Sequence, residues 1–344
     1  MKKLFRYPSI ERYSSAIKEV TKLATFIGKD ETGQPMYDDS IRKPMLTFHG
    51  TVKLHGTNSS VCWNKVDGMW VQSHNKIITP EDDNAGFAKF VESNIAVFKT
   101  LLNTLMLKNN LSVEDSTVVA LYGEWAGKGI NNGVGISKLE KSFFIFGAQK
   151  AELSDQEEFC QCEWLDIQGL SRIDNGIYNI SDFKTFIVNI DFENPEASSK
   201  ELEELTVEVE KRCPVAYSLG QDGIGEGIVW YTDYCNNRIF FKVKGDKHTV
   251  VATKNLVTTD VEKLASIKDF VDYAVTDNRL TQAINEVLDK PEEVSIRDTG
   301  NILKWMHQDI SKEETETLEA NNLEWKEVIK AVTQRTIELL NKRV

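Results

Sequence analysis

Lys53-Leu54-His55-Gly56-Thr57-Asn58 closes an apolar stretch, Met45 to Leu54, that reads as a strand running into a polar turn. A lysine at a strand end is held by the sheet on one side. On the other it meets a glycine turn whose backbone can approach a ligand closely. An amine is a nucleophile only when unprotonated, and burial or neighbouring cations supply that form. A solvated lysine beside an ordinary turn would show the same six residues. The rest of the chain separates the two readings.

Downstream, Ser60–Trp63 and Met69–Ser73 read as a hairpin turning at Asp67-Gly68. Gly123-Glu124-Trp125-Ala126-Gly127 places a carboxylate near a strand end between glycines. Phe143-Phe144-Ile145-Phe146 is an aromatic strand whose residues 144 and 146 share a face, where one ring could stack on a purine. Glu226-Gly227-Ile228-Val229 starts another strand with a carboxylate. Lys242-Val243-Lys244 sets two cations on one face of a further strand. Such a pair repels itself and is best explained by a bound polyanion. Each piece has an ordinary structural reading as core packing or a polar edge strand; their order along the chain is what distinguishes them.

In that order the pieces resemble the covalent nucleotidyltransferase superfamily of DNA ligases, RNA ligases and mRNA-capping enzymes. K-x-H-G-T-N at residues 53–58 and G-E-W-A-G-K-G-I at residues 123–130 are most similar to the phage-type RNA ligase 2 family. Val275-Thr276-Asp277-Asn278-Arg279 resembles that family's V-T-x-N-R, and Gln308-Asp309-Ile310-Ser311-Lys312-Glu313 its Q-D-I-x-x-E. The resemblance implies an ATP-dependent RNA ligase. Lys53 takes AMP from ATP, the AMP passes to a 5′-phosphate, and a 3′-hydroxyl expels it, most naturally at a nick in duplex RNA.

The same resemblance assigns roles. The backbone at Val52 and Leu54 touches the adenine edge, Phe146 stacks on the base, and Glu124 holds the ribose. Glu226 acts near nucleotide and metal. Lys242 and Lys244 grip the α-phosphate and favour the unprotonated form of Lys53. Asn58 and His74 border the nucleotide. His55, Thr57, Lys76, Arg279, Asp309 and Glu313 serve later steps, the nucleic acid or domain closure. ATP and Mg²⁺ are the implied cofactors, and RNA with a 5′-phosphate and a 3′-hydroxyl is the implied partner.

Five positions depart from the family pattern. His74 stands where relatives carry arginine, with Lys76 two residues on. Asn84-Ala85 replaces an aromatic pair before Gly86. Gly147 replaces an aspartate, and Tyr231 a lysine. None touches the nucleophile or the lysine pair. They bear on substrate geometry and sealing.

The expected fold class is α+β: an adenylyltransferase domain of antiparallel sheets with flanking helices over residues 1–250, then a small all-α domain over 251–344. Single helices are expected at 14–26 and 87–107. Ser198-Ser199-Lys200-Glu201 reads as a capping box opening a helix to Arg212. Beyond Lys254 only helices are expected, at 261–274, 279–288, 301–307 and 323–341. A capping enzyme using GTP, or a DNA ligase, would carry an appended barrel of short strands instead. A nucleotide- or RNA-binding protein that has lost sealing is the reading from another class.

The formal net charge of -12 argues against a generally basic nucleic-acid binder but not against a local basic site. The acid falls in runs at Glu201–Glu210, Asp289–Glu293 and Glu313–Glu319, read as solvated. Five cysteines without a C-x-x-C pair indicate neither a disulfide framework nor a zinc site. They fit a reducing, cytoplasmic compartment (the host's, for a viral protein). The basic N-terminus has no apolar run behind it, so a signal peptide is not expected. No apolar run reaches membrane-spanning length. A monomer is expected.

Overall fold

The computed structural model describes residues 2–131, 133–154, 158–245, 267–288, 293–320 and 323–343. In chain order the strands are β1 (Glu11–Arg12), β2 (Phe26–Lys29), β3 (Pro35–Tyr37), β4 (Met45–Lys53), β5 (Thr57–Asn64), β6 (Gly68–Ser73), β7 (Ile77–Ile78), β8 (Thr117–Ala126), β9 (Ser142–Leu153), β10 (Phe159–Trp164), β11 (Ile177–Asn179), β12 (Thr185–Asp191), β13 (Gly227–Tyr234) and β14 (Asn237–Lys244). The helices are α1 (Tyr13–Thr25), α2 (Phe87–Ser93), α3 (Ile95–Lys108), α4 (Ser199–Lys211), α5 (Pro214–Ser218), α6 (Ile267–Ala274), α7 (Asp277–Val287), α8 (Thr299–Glu313), α9 (Thr315–Ala320) and α10 (Trp325–Leu340). The expected α+β class, with antiparallel sheets and a helical C-terminal stretch, is what the chain forms.

The chain divides into two compact units, each built from separated segments. The first holds residues 1–10, 48–187 and 211–240; the second holds 11–47, 188–210 and 241–344. The sequence boundary placed near residue 250 lies outside the described residues.

In the first unit a seven-stranded sheet runs β10-β9-β8-β5-β6-β7, with β11 parallel to β9. Central β8 is buried on both faces, which explains its near-continuous apolar run. Val119, Leu121 and Trp125 face Phe87, Val91, Phe98 and Leu102 of α2 and α3. Val118, Ala120 and Tyr122 face the other way, against Phe5 and Tyr7 of the N-terminal segment. The single helix expected at 87–107 is two. Asn94 breaks it with φ -118° and ψ 25°. Its amide donates to Phe90 O at 2.9 Å and accepts from Asn175 Nδ2 at 3.0 Å. A short amide that bonds the backbone offers the chain an alternative to helix.

Also in the first unit, residues 49–53 of β4 pair antiparallel with 227–231 of β13. Gly50 lies opposite Trp230, and a Cβ there would sit 2.7 Å from the indole ring. A glycine mid-strand is therefore the seat of a fully buried tryptophan.

In the second unit β1 pairs parallel to β14, with Arg12 opposite Lys242, and β2 pairs with β3. Helices α6, α7, α8 and α10 bury Phe270, Leu280, Ile302, Met306, Ile310, Val328 and Val332 in one core. The spacing of four in 302, 306 and 310 gives α8 its apolar stripe. The capping box expected at Ser198 does not form. Ser198 belongs to a 3₁₀ turn, Pro195–Ser198, and its hydroxyl donates to Asn189 O at 3.5 Å.

Gly50→Ala should lower the unfolding free energy by about 1–3 kcal/mol through overpacking, read by urea denaturation. An unchanged midpoint would mean that Trp230 moves aside without cost.

Candidate active site

The β4–β13 register creates the centre of the site. Lys53 lies opposite Gly227, so Glu226 arrives beside the lysine from the next strand. Lys53 Nζ donates to Glu226 Oε2 at 2.7 Å, and His55 Nδ1 lies 3.3 Å from the same oxygen. The Glu226 side chain is only 2% exposed, so its charge depends on these partners. Val52 and Leu54 are buried on either side of Lys53, which fixes the lysine's strand and leaves its head half-buried.

Glu124 reaches the same place from β8. It pairs with Asn58 across the β5–β8 ladder, and its Oε1 accepts the Gly56 N–H at 2.9 Å. Desolvation pushes its carboxyl up to about 7, and the charge of Glu226 pushes the same way. Lys53, the Gly56 N–H and His55 pull it down. Some water still reaches this carboxyl, but protein crowds it from every side. Two acids and a lysine in mutual reach are the kind of group that is held for chemistry.

Of the two candidate rings, Phe144 is buried and stacked on Tyr178, centroids 5.2 Å apart. Phe146 is half-buried and meets Tyr7 edge-on, at 4.8 Å and 71°. Phe146 is thus the ring that keeps a partly open face. His74 follows β6 half-buried. Lys76 is turned onto Asp82, Nζ to Oδ1 2.5 Å.

Sequence reasoning missed two amides. Asn84 Nδ2 donates to Thr57 Oγ1 at 2.9 Å, and Asn131 Nδ2 donates to Gly56 O at 2.9 Å. In the sequence Asn84 shows only as the loss of an aromatic. Its neighbour Ala85 takes φ 53°, and Ala85 O accepts from Trp125 Nε1 at 3.1 Å and Lys141 Nζ at 2.9 Å. The departure is therefore a hydrogen-bonded seat and not a simple loss. Asn131 gave no signal beyond following the Gly-rich loop.

The second unit gathers the remaining candidates. Lys242 Nζ lies 3.1 Å from Glu313 Oε1, and Lys244 and Asp309 act on each other through their charges. Arg12 donates to Glu313 O and, at 3.2 Å, to Glu314 Oε1. Arg279, 1% exposed, donates to Glu314 Oε1 at 2.8 Å and Ala274 O at 2.6 Å. Its Nε is 2.9 Å from Asp309 Oδ2 without pointing at it, an ionic contact and not a directed bond. The run Glu313–Glu319, read as solvated, is corrected here: Glu314 is fully buried and Glu313 largely so. Burial opposes the charge on Glu313. Lys242, Lys244 and Arg12 outweigh it and bring its carboxyl down to about 2.

A carboxyl lowered by folding stabilises the protein above its unfolded value and loses that contribution as pH falls through the folded one. Wild-type stability should therefore drop by about 2–3 kcal/mol between roughly pH 5 and pH 2 from this group. Urea titrations of Glu313→Gln should show a shallower acid slope; parallel slopes would refute the assignment.

No curated protein matches the chain. Among solved structures it is similar to an RNA ligase of Naegleria gruberi in several states. A lysine-to-methionine variant with AMP and Mn aligns at 15% identity and TM-score 0.39, over 70% of this chain and 55% of that one. The form with PPi aligns at 15% and 0.39, over 70% and 56%. A glutamate-to-alanine variant with AMP and Mn aligns at 16% and 0.41, over 70% and 56%. The chain thus spans just over half the length of each. The sequence model of the RNA ligase family matches residues 46–244. That span takes in more than half of the chain, from β4 with its lysine to the last residue of β14, and by it the chain belongs to the RNA ligase family.

Proposed function

We propose that this protein is an ATP-dependent RNA ligase that captures AMP on Lys53, passes it to a 5′-phosphate and joins that end to a 3′-hydroxyl, sealing nicks in duplex RNA. The observation that carries the reading is the contact of Lys53 Nζ with Glu226 Oε2 at 2.7 Å, with His55 on the same oxygen. A protonated lysine cannot attack phosphorus, and Glu226 is the adjacent proton acceptor. In the first step the Nζ lone pair forms a bond to the α-phosphorus, the bridging bond to the β-phosphate breaks, and pyrophosphate leaves with those electrons. Positioning and charge neutralisation dominate such in-line displacements.

In this reading Glu124 accepts the ribose hydroxyls, Phe146 stacks on adenine, and Lys242 and Lys244 serve as cations for the α-phosphate. Thr57 faces the strand ends and Asn58 the nucleotide. The residues from 251 on form the appended domain for the later steps, and buried Arg279 supports it from inside. Among the described residues no group of three or more His, Cys, Asp or Glu side chains could hold a metal. Glu124 and Glu226 are hard oxygen donors of the kind Mg²⁺ takes alongside substrate phosphates and water. The ion, when bound, neutralises charge on those phosphates. A monomer in a reducing compartment goes with this reading. The described cysteines are all free thiols, and no described helix is long and apolar enough to cross a membrane. The helices among the described residues from 267 to 343 favour it over a capping-type enzyme or DNA ligase with an appended strand barrel.

Incubated with Mg²⁺ and ATP labelled at the α-phosphate, the wild type should carry label through a denaturing gel. Lys53→Ala should carry none, and GTP should label poorly. Glu226→Gln should slow labelling by about 10²–10³-fold. Folded, AMP-free protein that takes no label from either nucleotide would leave a binding protein on this fold. Nicked RNA and DNA duplexes then settle the substrate.

Glu124 must be ionised to accept a hydroxyl. Labelling by the wild type should therefore rise through about pH 7, and Glu124→Gln should be slow and lack that limb. An identical limb in the variant would assign it to another group.

A further inference from the structure

We infer that Asn131 is a positioning residue for AMP capture: with Glu124 it clamps both peptide planes of Gly56, the turn residue between the nucleophile strand and Thr57-Asn58. The inference rests on the functional reading above. Gly56 N–H donates to Glu124 Oε1 at 2.9 Å, and Gly56 O accepts from Asn131 Nδ2 at 2.9 Å. These bonds fall on the two different peptides that flank one Cα. Glycine is the conformationally loosest residue, and it has no side chain to anchor it. None would fit: a Cβ on Gly56 would lie 2.5 Å from Trp125 O and 2.9 Å from Glu124 Cγ. The turn must be glycine to press against β8, so the rigidity a side chain would have given comes from outside.

Both clamping side chains come from one stretch, residues 124–131. After β8 the chain doubles back through Gly127, φ 138°, and Gly129, φ 77°. Lys128 N–H donates to Leu139 O at 2.8 Å, and Ile130 N–H to Gly127 O at 3.2 Å. This reversal returns Asn131, 7% exposed, to Gly56. Asn131 acts at one remove from the nucleophile. It fixes the Gly56 N–H on the Glu124 carboxylate, and so sets which way that carboxylate faces.

A plain structural role would have Asn131 merely hold its own loop. Two variants separate the cases. Asn131→Leu keeps much of the shape, adds no charge and cannot donate; Asn131→Gln keeps a donor. For ATP-dependent labelling, Asn131→Leu should raise KM for ATP about tenfold, the size expected for one lost hydrogen bond, with a smaller change in the maximal rate, and Asn131→Gln should recover part of the effect. A second readout needs no activity: in labelled full-length protein, the Gly56 amide should be protected from hydrogen exchange in the wild type and lose that protection in Asn131→Leu. Unchanged KM and unchanged Gly56 protection, with only a lowered melting temperature, would overturn the inference. Should the wild type take no label, the ligase reading fails, and the Gly56 exchange alone still decides whether Asn131 is the clamp.

Discussion

The ion pair between Lys53 and Glu226 depends on register. A shift of one residue between β4 and β13 would turn every side chain on the moved strand to the other face. Lys53 would then enter the core, and Val52 would face the site. Register is held by the apolar residues of the opposite face, where Val52, Ile228 and Trp230 are buried, and by the gap at Gly50 that admits Trp230. A packing constraint a few residues away thus sets a distance of 2.7 Å at the Lys53 amine.

The site holds its charges in tension. Glu124 keeps a proton more tightly folded than unfolded, so ionising it opposes folding as pH rises from its ordinary range to about 7. Glu313, in the other unit, is shifted the opposite way by its lysines. One carboxyl is crowded by another acid and by apolar surroundings; the other is surrounded by cations. Local strain of this kind is expected where a protein performs chemistry and is offset by packing elsewhere.

The sequence carries the centre of this site openly because its residues stand on strands. Lys53, Glu124 and Glu226 end or begin alternating segments, and alternation fixes which face each takes. The features it hides depend on contacts between distant segments. Asn94, which divides α2 from α3, accepts a bond from Asn175, distant in the sequence. Glu313 and Glu314 sit in an acidic run that composition assigns to solvent, yet Arg12 and Arg279, far along the chain, bury them. Asn131 finds Gly56 through a loop whose path rests on two glycines with positive φ. The three residues of β11 lie among polar and turn residues, where a period of two is too brief to see.

The division of the chain also has a consequence for its biosynthesis. β1 pairs with β14, placing Arg12 opposite Lys242, and the helices that bury Arg279 and Glu314 follow β14 in the chain. A ribosome therefore makes every segment of the first unit, through residue 240, before the second unit can assemble, while residues 11–47 wait for their partners. Such long-range pairings are reached slowly and leave unpaired segments open to wrong association in the meantime. Removal of α10, which supplies Val328, Val332, Leu339 and Leu340 to the helical core, should lower the yield of folded protein.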